Sequence, residues 1–204
     1  MSRRKHGLDI HGVVLLDKPA GITSNRALQK VRGIYQARKA GHTGSLDPFA
    51  TGMLPVCLGE ASKTAAYMLD ASKHYRAIAR LGVATTTGDL EGEVIQTCPL
   101  ADFRPGQIEQ VLEQFTGEIS QVPPMYSALK HDGRPLYEYA RAGIHIERPA
   151  RKVAIHQLQL VNWQPPDLSF DVHCSKGTYI RTLAEDIATR LESCAHLVSL
   201  RRPL

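Results

Sequence analysis

The sequence predicts an α+β fold in which helices flank a central mixed sheet that is largely antiparallel. Two observations indicate this class. Some segments repeat apolar residues at helical spacing, whereas others alternate them at strand spacing. The two kinds of segment do not follow the regular strand-helix-strand order of a parallel sheet. The 204 residues are enough to bury a core as one domain with a small insertion.

The N-terminal part of the chain predicts a strand, a tight turn and a helix. Residues 13–16 are a short apolar run, and the proline and glycine within residues 17–21 suit a turn. We expect Ser24 to cap the helix. Its apolar stripe would comprise Leu28, Val31, Ile34 and Tyr35. The basic side chains of this region either face water or line a path for phosphates, and they are Arg26, Lys30, Arg32, Arg38 and Lys39.

A glycine-rich loop at residues 41–52 follows the predicted helix and holds a single carboxylate, Asp47. Its three glycines permit backbone angles that are closed to other residues, and Pro48 fixes the turn directly after Asp47. A carboxylate held this rigidly indicates a chemical role. Taken in isolation, Asp47 has the alternative interpretation of an aspartate that only forms the turn.

Three elements are predicted between this loop and the middle of the chain. Residues 61–69 are expected to be helical. Apolar and polar residues alternate over 73–81, which is typical of a half-buried strand. Tyr75 lies near its start, on the side that the apolar residues share. Pro105 is expected to begin a helix that Gly117 closes.

A long connection at residues 121–148 contains three prolines and many aromatic and cationic side chains. Aromatic rings interleaved with cations can stack on unpaired bases and neutralise phosphates. We therefore expect an inserted RNA-contacting arm. The alternative is a plain mobile connection, although long loops in compact domains are usually functional.

The C-terminal part predicts a hairpin and a helix. Residues 153–163 and 168–174 have the pattern of two strands, and the segment 165–167 suits the turn between them. A helix is expected from about Tyr179, with Arg181 in its first turn. Because the positive end of the helix dipole disfavours a cation there, we expect a compensating anion nearby.

Charge and cysteine content limit the class of protein. Lysine and arginine exceed the acids by 25 to 20, which gives a formal charge of +5 and suits a polyanionic partner. Cys57, Cys98, Cys174 and Cys194 lack metal-site spacing and are expected to be reduced and mostly buried. The basic residues 2–6 are not followed by the apolar part of a secretory signal, and no apolar run could span a membrane. We expect a cytoplasmic protein that uses no metal and that either needs no cofactor or binds one only loosely.

Seven segments closely resemble, in the same order, those of the TruB-type pseudouridine synthases. They are residues 16–24, 41–61, 73–76, 124–130, 137–141, 173–181 and 196–202. The resemblance implies the pseudouridine-synthase fold. It also implies that uridine becomes pseudouridine at position 55, in the T loop of tRNA. The implied reaction flips the base, cleaves the glycosidic bond with the help of an aspartate and forms a carbon–carbon bond, with no redox step.

The same resemblance assigns roles to three catalytic side chains. Asp47 is expected to attack either C6 of the base or C1′ of the sugar. Arg181 is expected to be its ionic partner and to keep it ionised. Tyr75 is expected to stack on the uracil near the atoms that lose a proton. A phenol with an ordinary pKa of about 10 needs help to act as a strong base, so the identity of the base stays open.

Six further residues are expected to bind the RNA. His42 would occupy the space that the flipped uridine leaves, or would only order the loop through a hydrogen bond. Lys18 would support the catalytic loop. Leu200 would line the uracil pocket, or would only be a residue of the core. The remaining contacts are expected on the arm, at Tyr126, Lys130 and Arg141.

Family members of this type continue past the double arginine that corresponds to Arg201 and Arg202, and they end in an RNA-binding PUA module. We expect this module to be absent from residues 1–204. The expected protein is a monomer that binds the T arm of tRNA. Two alternatives stay open. One is a synthase that acts on another RNA or in a guide-RNA particle, and the other is a chaperone that binds tRNA without modifying it.

Overall fold

The computed structural model describes residues 7–203. The basic segment 2–6 and the final Leu204, which entered the sequence predictions, lie outside the described residues. The chain divides into two compact units. The first contains the residues up to Lys73 together with those from Leu200 onward, and the second is His74–Ser199.

The first unit contains three complete strands, namely β1 (Gly12–Lys18), β2 (Ala40–His42) and β3 (Thr51–Leu58). β3 pairs antiparallel with β1, from Gly12 opposite Leu58 to Lys18 opposite Gly52, and it also pairs antiparallel with β2. Because β2 and β3 are paired, the loop between them, which carries Asp47, is closed at its base.

Helix α1 (Ser24–Ile34) buries Leu28 and Val31, as predicted, against a cluster that includes Val56 of β3. Its N-cap is Thr23, not Ser24, and the Thr23 hydroxyl accepts from the Arg26 N–H at 3.1 Å. The predicted apolar stripe is wrong at its C-terminal end. Ile34 and Tyr35 are 78% and 43% exposed, because the helix ends at this point.

The helix predicted over residues 61–69 is split into two shorter helices. Gly59–Lys63 form a 3₁₀ helix, and α2 follows at Ala65–Asp70. The Ser62 hydroxyl donates to the Gly59 carbonyl at 2.7 Å, and the Thr64 hydroxyl donates to the Ala61 carbonyl at 2.9 Å. These local bonds to the backbone compete with a continuous α-helix.

The remaining strands, in chain order, are β4 (Lys73–Leu81), β5 (Val83–Thr85), β6 (Val94–Thr97), β7 (Gly117–Gln121), β8 (Lys130–His131), β9 (Arg134–Pro135), β10 (Arg151–Gln164), β11 (Asp167–Cys174) and β12 (Ala195–Arg202). In the second unit β12, β4, β11, β10 and β7 are neighbours in that order. The β10–β11 hairpin and the strand over 73–81 confirm the predictions. The end of β12 pairs parallel with β3 in the first unit, whereas β7 and β11 pair antiparallel with β10, so the sheet is mixed and the predicted class is confirmed.

Three helices belong to the second unit, namely α3 (Pro105–Glu113), α4 (Leu136–Arg141) and α5 (Ile180–Arg190). α3 begins at Pro105, as predicted, but Gly117 starts β7 instead of closing the helix. α5 begins one residue after the predicted Tyr179 and buries Leu183 and Ile187.

The arm, residues 121–148, has more regular structure than the predicted loop, because it contains the β8–β9 hairpin and α4. Two of its cations stack on its own aromatic rings. The Arg134 guanidinium lies 4.8 Å from the centre of the Tyr139 ring, and the Arg141 guanidinium lies 5.4 Å from that of Tyr137. At the root of the arm, Gln121 of β7 is opposite Arg151 of β10.

The prediction of four reduced cysteines is wrong for two of them, because Cys98 and Cys194 form a disulfide across 96 residues of sequence. Gly82 brings the pair together: its N–H donates to the Cys194 carbonyl at 2.8 Å, and its carbonyl accepts from the Cys98 N–H at 2.9 Å. Local spacing carries no signal of such a tertiary pairing. Cys57 and Cys174 are reduced thiols and are buried, as predicted.

Candidate active site

The loop that carries Asp47 is fastened to the start of α1. The Ser24 hydroxyl donates to the Leu46 carbonyl at 3.0 Å and accepts from the Leu46 N–H at 2.8 Å. Within the loop, the Ala50 N–H donates to the Asp47 carbonyl at 3.1 Å. The residue before the partly buried Asp47 is therefore held by two bonds to one hydroxyl, which explains why Ser24 does not cap α1.

Lys18 connects the turn after β1 to the same loop. Its side chain is completely buried, and Nζ donates to the carbonyls of Pro19, Ile22 and Pro48 at 2.9, 2.8 and 3.1 Å. The Gly21 N–H also donates to the Pro48 carbonyl, at 2.9 Å. A buried ammonium is tolerated when several carbonyl oxygens surround it. Lys18 thus fixes the residue that directly follows Asp47.

The far end of the loop meets β12 at Gly52. The φ angle of Gly52 is +109°, and a Cβ atom there would lie 2.0 Å from the Arg202 carbonyl oxygen, so only glycine fits. The Arg202 side chain is buried, and its Nε donates to the Met53 carbonyl at 2.6 Å. Burial, and to a lesser extent the Arg202 charge, lower the pKa of His42, so its imidazole is neutral at pH 7.

Arg181 is almost completely buried in the first turn of α5. Its Nη1 donates to the Thr87 carbonyl at 2.7 Å, and its Nη2 donates to the Tyr126 carbonyl at 2.8 Å. Nη1 also lies 3.7 Å from Oδ2 of the buried Asp89. The predicted compensating anion is therefore present in the second unit, and the contact with Tyr126 connects Arg181 to the arm.

Asp89, which we did not select from the sequence, is held by its own turn. Its Oδ1 accepts from the Thr87 hydroxyl at 2.6 Å and from the Glu91 N–H at 3.0 Å. The Thr85 hydroxyl donates to the Asp89 carbonyl at 2.7 Å. The run of turn-forming residues at 85–89 was the available signal, but it does not indicate that Arg181 lies beside it.

Gln121, at the root of the arm, forms hydrogen bonds with the backbone of Tyr179, the residue before α5. Its Oε1 accepts from the Tyr179 N–H at 2.8 Å, and its Nε2 donates to the Tyr179 carbonyl at 3.1 Å. Both ends of the buried amide are therefore paired, as burial requires. No pattern in the sequence indicates this contact.

Glu185 lies one turn after Arg181 on α5 and packs against Gly88. The φ angle of Gly88 is +71°, and a Cβ atom there would lie 2.6 Å from the Glu185 Oε1. Burial raises the pKa of the Glu185 carboxyl to about 7. The Arg181 charge opposes this shift, and the Asp186 and Asp89 charges add to it.

Glu185→Gln is expected to change how stability depends on pH. Between pH 4.5 and about 7 the folded protein holds a proton on Glu185 that the unfolded chain has lost, so this group makes stability fall as the pH rises. Glutamine does not titrate. The variant should match the unmodified chain near pH 4.5 and exceed its free energy of unfolding by about 2 kcal/mol at pH 8. Urea unfolding at both pH values measures this, with the exposed Glu109→Gln as control. An equal difference at both pH values would contradict it.

The other residues selected from the sequence lie in both units. Leu200 is buried in β12 and belongs to the first unit, as do Lys18, His42 and Asp47. The second unit contains the remaining five, with Tyr75 on β4 and Arg181 on α5, and with Tyr126, Lys130 and Arg141 on the arm.

Within residues 7–203, no three His, Cys, Asp or Glu side chains are grouped so that they could hold a metal ion. None of the helices in the same range combines the length and the hydropathy that crossing a bilayer requires.

Solved structures share this fold. One chain of the crystal structure of a Cbf5-Nop10-Gar1 complex superposes with a TM-score of 0.73 at 32% identity, over 94% of this chain and 47% of that chain. A chain in the structure of an H/ACA RNP bound to a substrate RNA containing 2′-deoxyuridine gives a TM-score of 0.69 at 27% identity, over 99% of this chain and 53% of that one. The mixed sheet and its helices are thus of the pseudouridine-synthase class.

Residues 32–180 match the model of the N-terminal domain of TruB family pseudouridylate synthases, and the chain belongs to that family. Relatives named tRNA pseudouridine synthase B are similar over almost the whole chain. The protein from Nitrosococcus oceani is 56% identical over 98% of this chain and 65% of its own length. The protein from Chromohalobacter salexigens is 58% identical over 99% of this chain and 66% of its own. The chain therefore spans slightly less than two thirds of these relatives.

Proposed function

We propose that this chain isomerises uridine to pseudouridine at position 55 in the T loop of tRNA. Family membership over residues 32–180, a range that includes the loop of Asp47, is the observation that carries the proposal. The substrate class comes from the relatives that are named tRNA pseudouridine synthase B.

The reaction breaks the bond between ribose C1′ and N1 and joins C1′ to C5 of the same uracil. A proton leaves C5 and N1 gains one, so atoms and electrons balance without an oxidant or a second substrate. The protein must supply a nucleophile, a proton acceptor and a pocket that retains the detached base.

Asp47 is the proposed nucleophile, toward C6 or C1′. Because Ser24 and Lys18 hold the residues on either side of it, its carboxylate needs little reorganisation to react. Arg181 is proposed to stabilise negative charge during the reaction, and Tyr75 is proposed to stack on the uracil.

Base flipping sets the roles of the other residues. Extruding a uridine from the T loop costs a few kcal/mol of stacking, which contacts with the protein must offset. His42 is proposed to occupy the vacated space, where a neutral imidazole offers one donor and one acceptor. Leu200 is proposed to line the uracil pocket. The proposed RNA contacts of the arm are Tyr126, Lys130 and Arg141.

Tritium release tests the proposal, because only the new carbon–carbon bond expels the hydrogen on C5. The 204-residue chain is mixed with tRNA that carries tritium at C5 of uridine. We expect stoichiometric release into water from tRNA and from a T-arm hairpin, and none from a hairpin whose loop has an unrelated sequence. Bound tRNA without release would contradict the proposal and favour a chaperone.

The likeness to a chain of an H/ACA RNP favours one second candidate, a synthase that acts within a guide-RNA particle. Release from the bare T-arm hairpin, with no guide RNA present, would exclude this candidate. Release that requires an added guide RNA would support it.

A further inference from the structure

A cavity of about 70 Å³ lies at the root of the arm, where the chain returns to the sheet. We call it the arm-root cavity. Three cationic residues line it, namely Lys130 of β8, Arg148 just before β10, and Arg151 at the start of β10. Glu147 is the one acid among its lining residues. Apolar side chains, including the buried Leu136, form other parts of its wall.

Arg148 has hydrogen-bond donors that no group in the described part of the chain satisfies. Its Nε and Nη1 atoms are buried, and neither has a hydrogen-bond partner within residues 7–203. Buried donors are nearly always paired, since an unpaired one loses the hydrogen bond that water would give. The Nε–H of a guanidinium points away from Nη1, so each of these two donors needs an acceptor of its own, and an oxyanion oxygen is a strong one.

We propose that the arm-root cavity binds one phosphate group of an RNA backbone. One of the two unpaired donors of Arg148, Nε or Nη1, donates to a phosphate oxygen, and Lys130 and Arg151 supply further positive charge. A water needs about 10–15 Å³ of such volume, so the cavity has room for the five heavy atoms of a phosphate. We assign the phosphate to RNA because the proposed function is the modification of tRNA, and this part of the proposal rests on that function.

The position of the cavity gives this contact a distinct consequence. Gln121 and Arg151 are paired in register where the arm leaves and rejoins the sheet, so the cavity lies at the fixed end of the arm. A phosphate bound there draws the RNA against the base of the arm, whereas Arg134 and Arg141 are engaged with tyrosine rings farther along it. The contact is to a phosphate and therefore carries no base specificity.

The salt dependence of RNA binding tests the proposal. Affinity for a fluorescent T-arm hairpin is measured between 50 and 300 mM KCl for the unmodified chain, for Arg148→Gln and for the exposed Arg190→Gln, which removes the same charge outside the cavity. For Arg148→Gln we expect about tenfold weaker binding and a log–log slope reduced by about 0.7–0.9. Arg190→Gln should leave the slope unchanged. If Arg148→Gln does not fold, Arg148→Lys replaces it, with the slope retained and several-fold weaker binding.

A hairpin series with one neutral methylphosphonate at each linkage identifies the phosphate. One linkage should weaken binding of the unmodified chain and have no effect on Arg148→Gln. Equal responses at every linkage, or an unchanged slope for Arg148→Gln, would overturn the proposal. Where Arg148→Lys is used instead, unchanged affinity would overturn it. Inorganic phosphate is then added at constant ionic strength. If the free ion also enters the arm-root cavity, it competes with the hairpin for the unmodified chain but not for Arg148→Gln. Tritium release by the same preparation tests catalysis separately, so binding effects without release would count against the proposed function alone.

Discussion

Replacing Asp47 by asparagine is expected to lower the rate of tritium release from tRNA at least about 10⁴-fold. The amide has nearly the shape of the carboxylate but is a very weak nucleophile. The bonds that fix the loop, from Ser24 to Leu46 and from Lys18 to Pro48, do not involve the Asp47 carboxylate and should persist. Single-turnover release with saturating enzyme measures the effect.

The control for this variant is Asp102→Asn, which makes the same chemical change at an exposed position before α3. Asp102→Asn should release tritium at the normal rate, and thermal unfolding should show that both variants are folded. Normal release by Asp47→Asn would show that another group is the nucleophile.

For Arg181→Lys we expect turnover to fall by about 10²-fold, while tRNA binding stays within about threefold. Lysine retains the positive charge but not the planar fork. The guanidinium donates to the Thr87 and Tyr126 carbonyls from different nitrogens and lies beside Asp89, and a single ammonium cannot reproduce that arrangement.

Arg190→Lys, at the exposed end of the same helix, is the matched control and should bind and turn over tRNA normally. Single-turnover rates and hairpin binding are measured for both variants. If binding by Arg181→Lys collapses while bound tRNA still reacts at the normal rate, Arg181 anchors RNA and has no part in the chemical step.

Properties that are local could be predicted from the sequence. The glycines and proline around Asp47 predicted a fixed loop because backbone freedom is a property of each residue. The cation in the first turn of α5 predicted an anion because the helix dipole acts over one turn, and Asp89 confirms this within the second unit.

The failures concern contacts that only tertiary structure creates. Ser24 has the residue type of an N-cap, but its hydroxyl is engaged by Leu46, 22 residues away in sequence. The Cys98–Cys194 bond depends on the backbone of Gly82, which no spacing rule includes. The roles of Asp47, Tyr75 and the arm residues remain predictions that the variants above test.

The two hydrogen bonds from Gln121 to Tyr179 connect the arm to the first turn of α5. One amide side chain holds both backbone groups of Tyr179, and two residues later Arg181 holds the Tyr126 carbonyl of the arm in return. A ligand that displaces the arm would therefore also displace the Arg181 guanidinium, through the bonds from Gln121 to Tyr179 and from Arg181 to Tyr126. Because Arg181 is proposed to act in the chemical step, we expect loss of the Gln121 amide to slow that step.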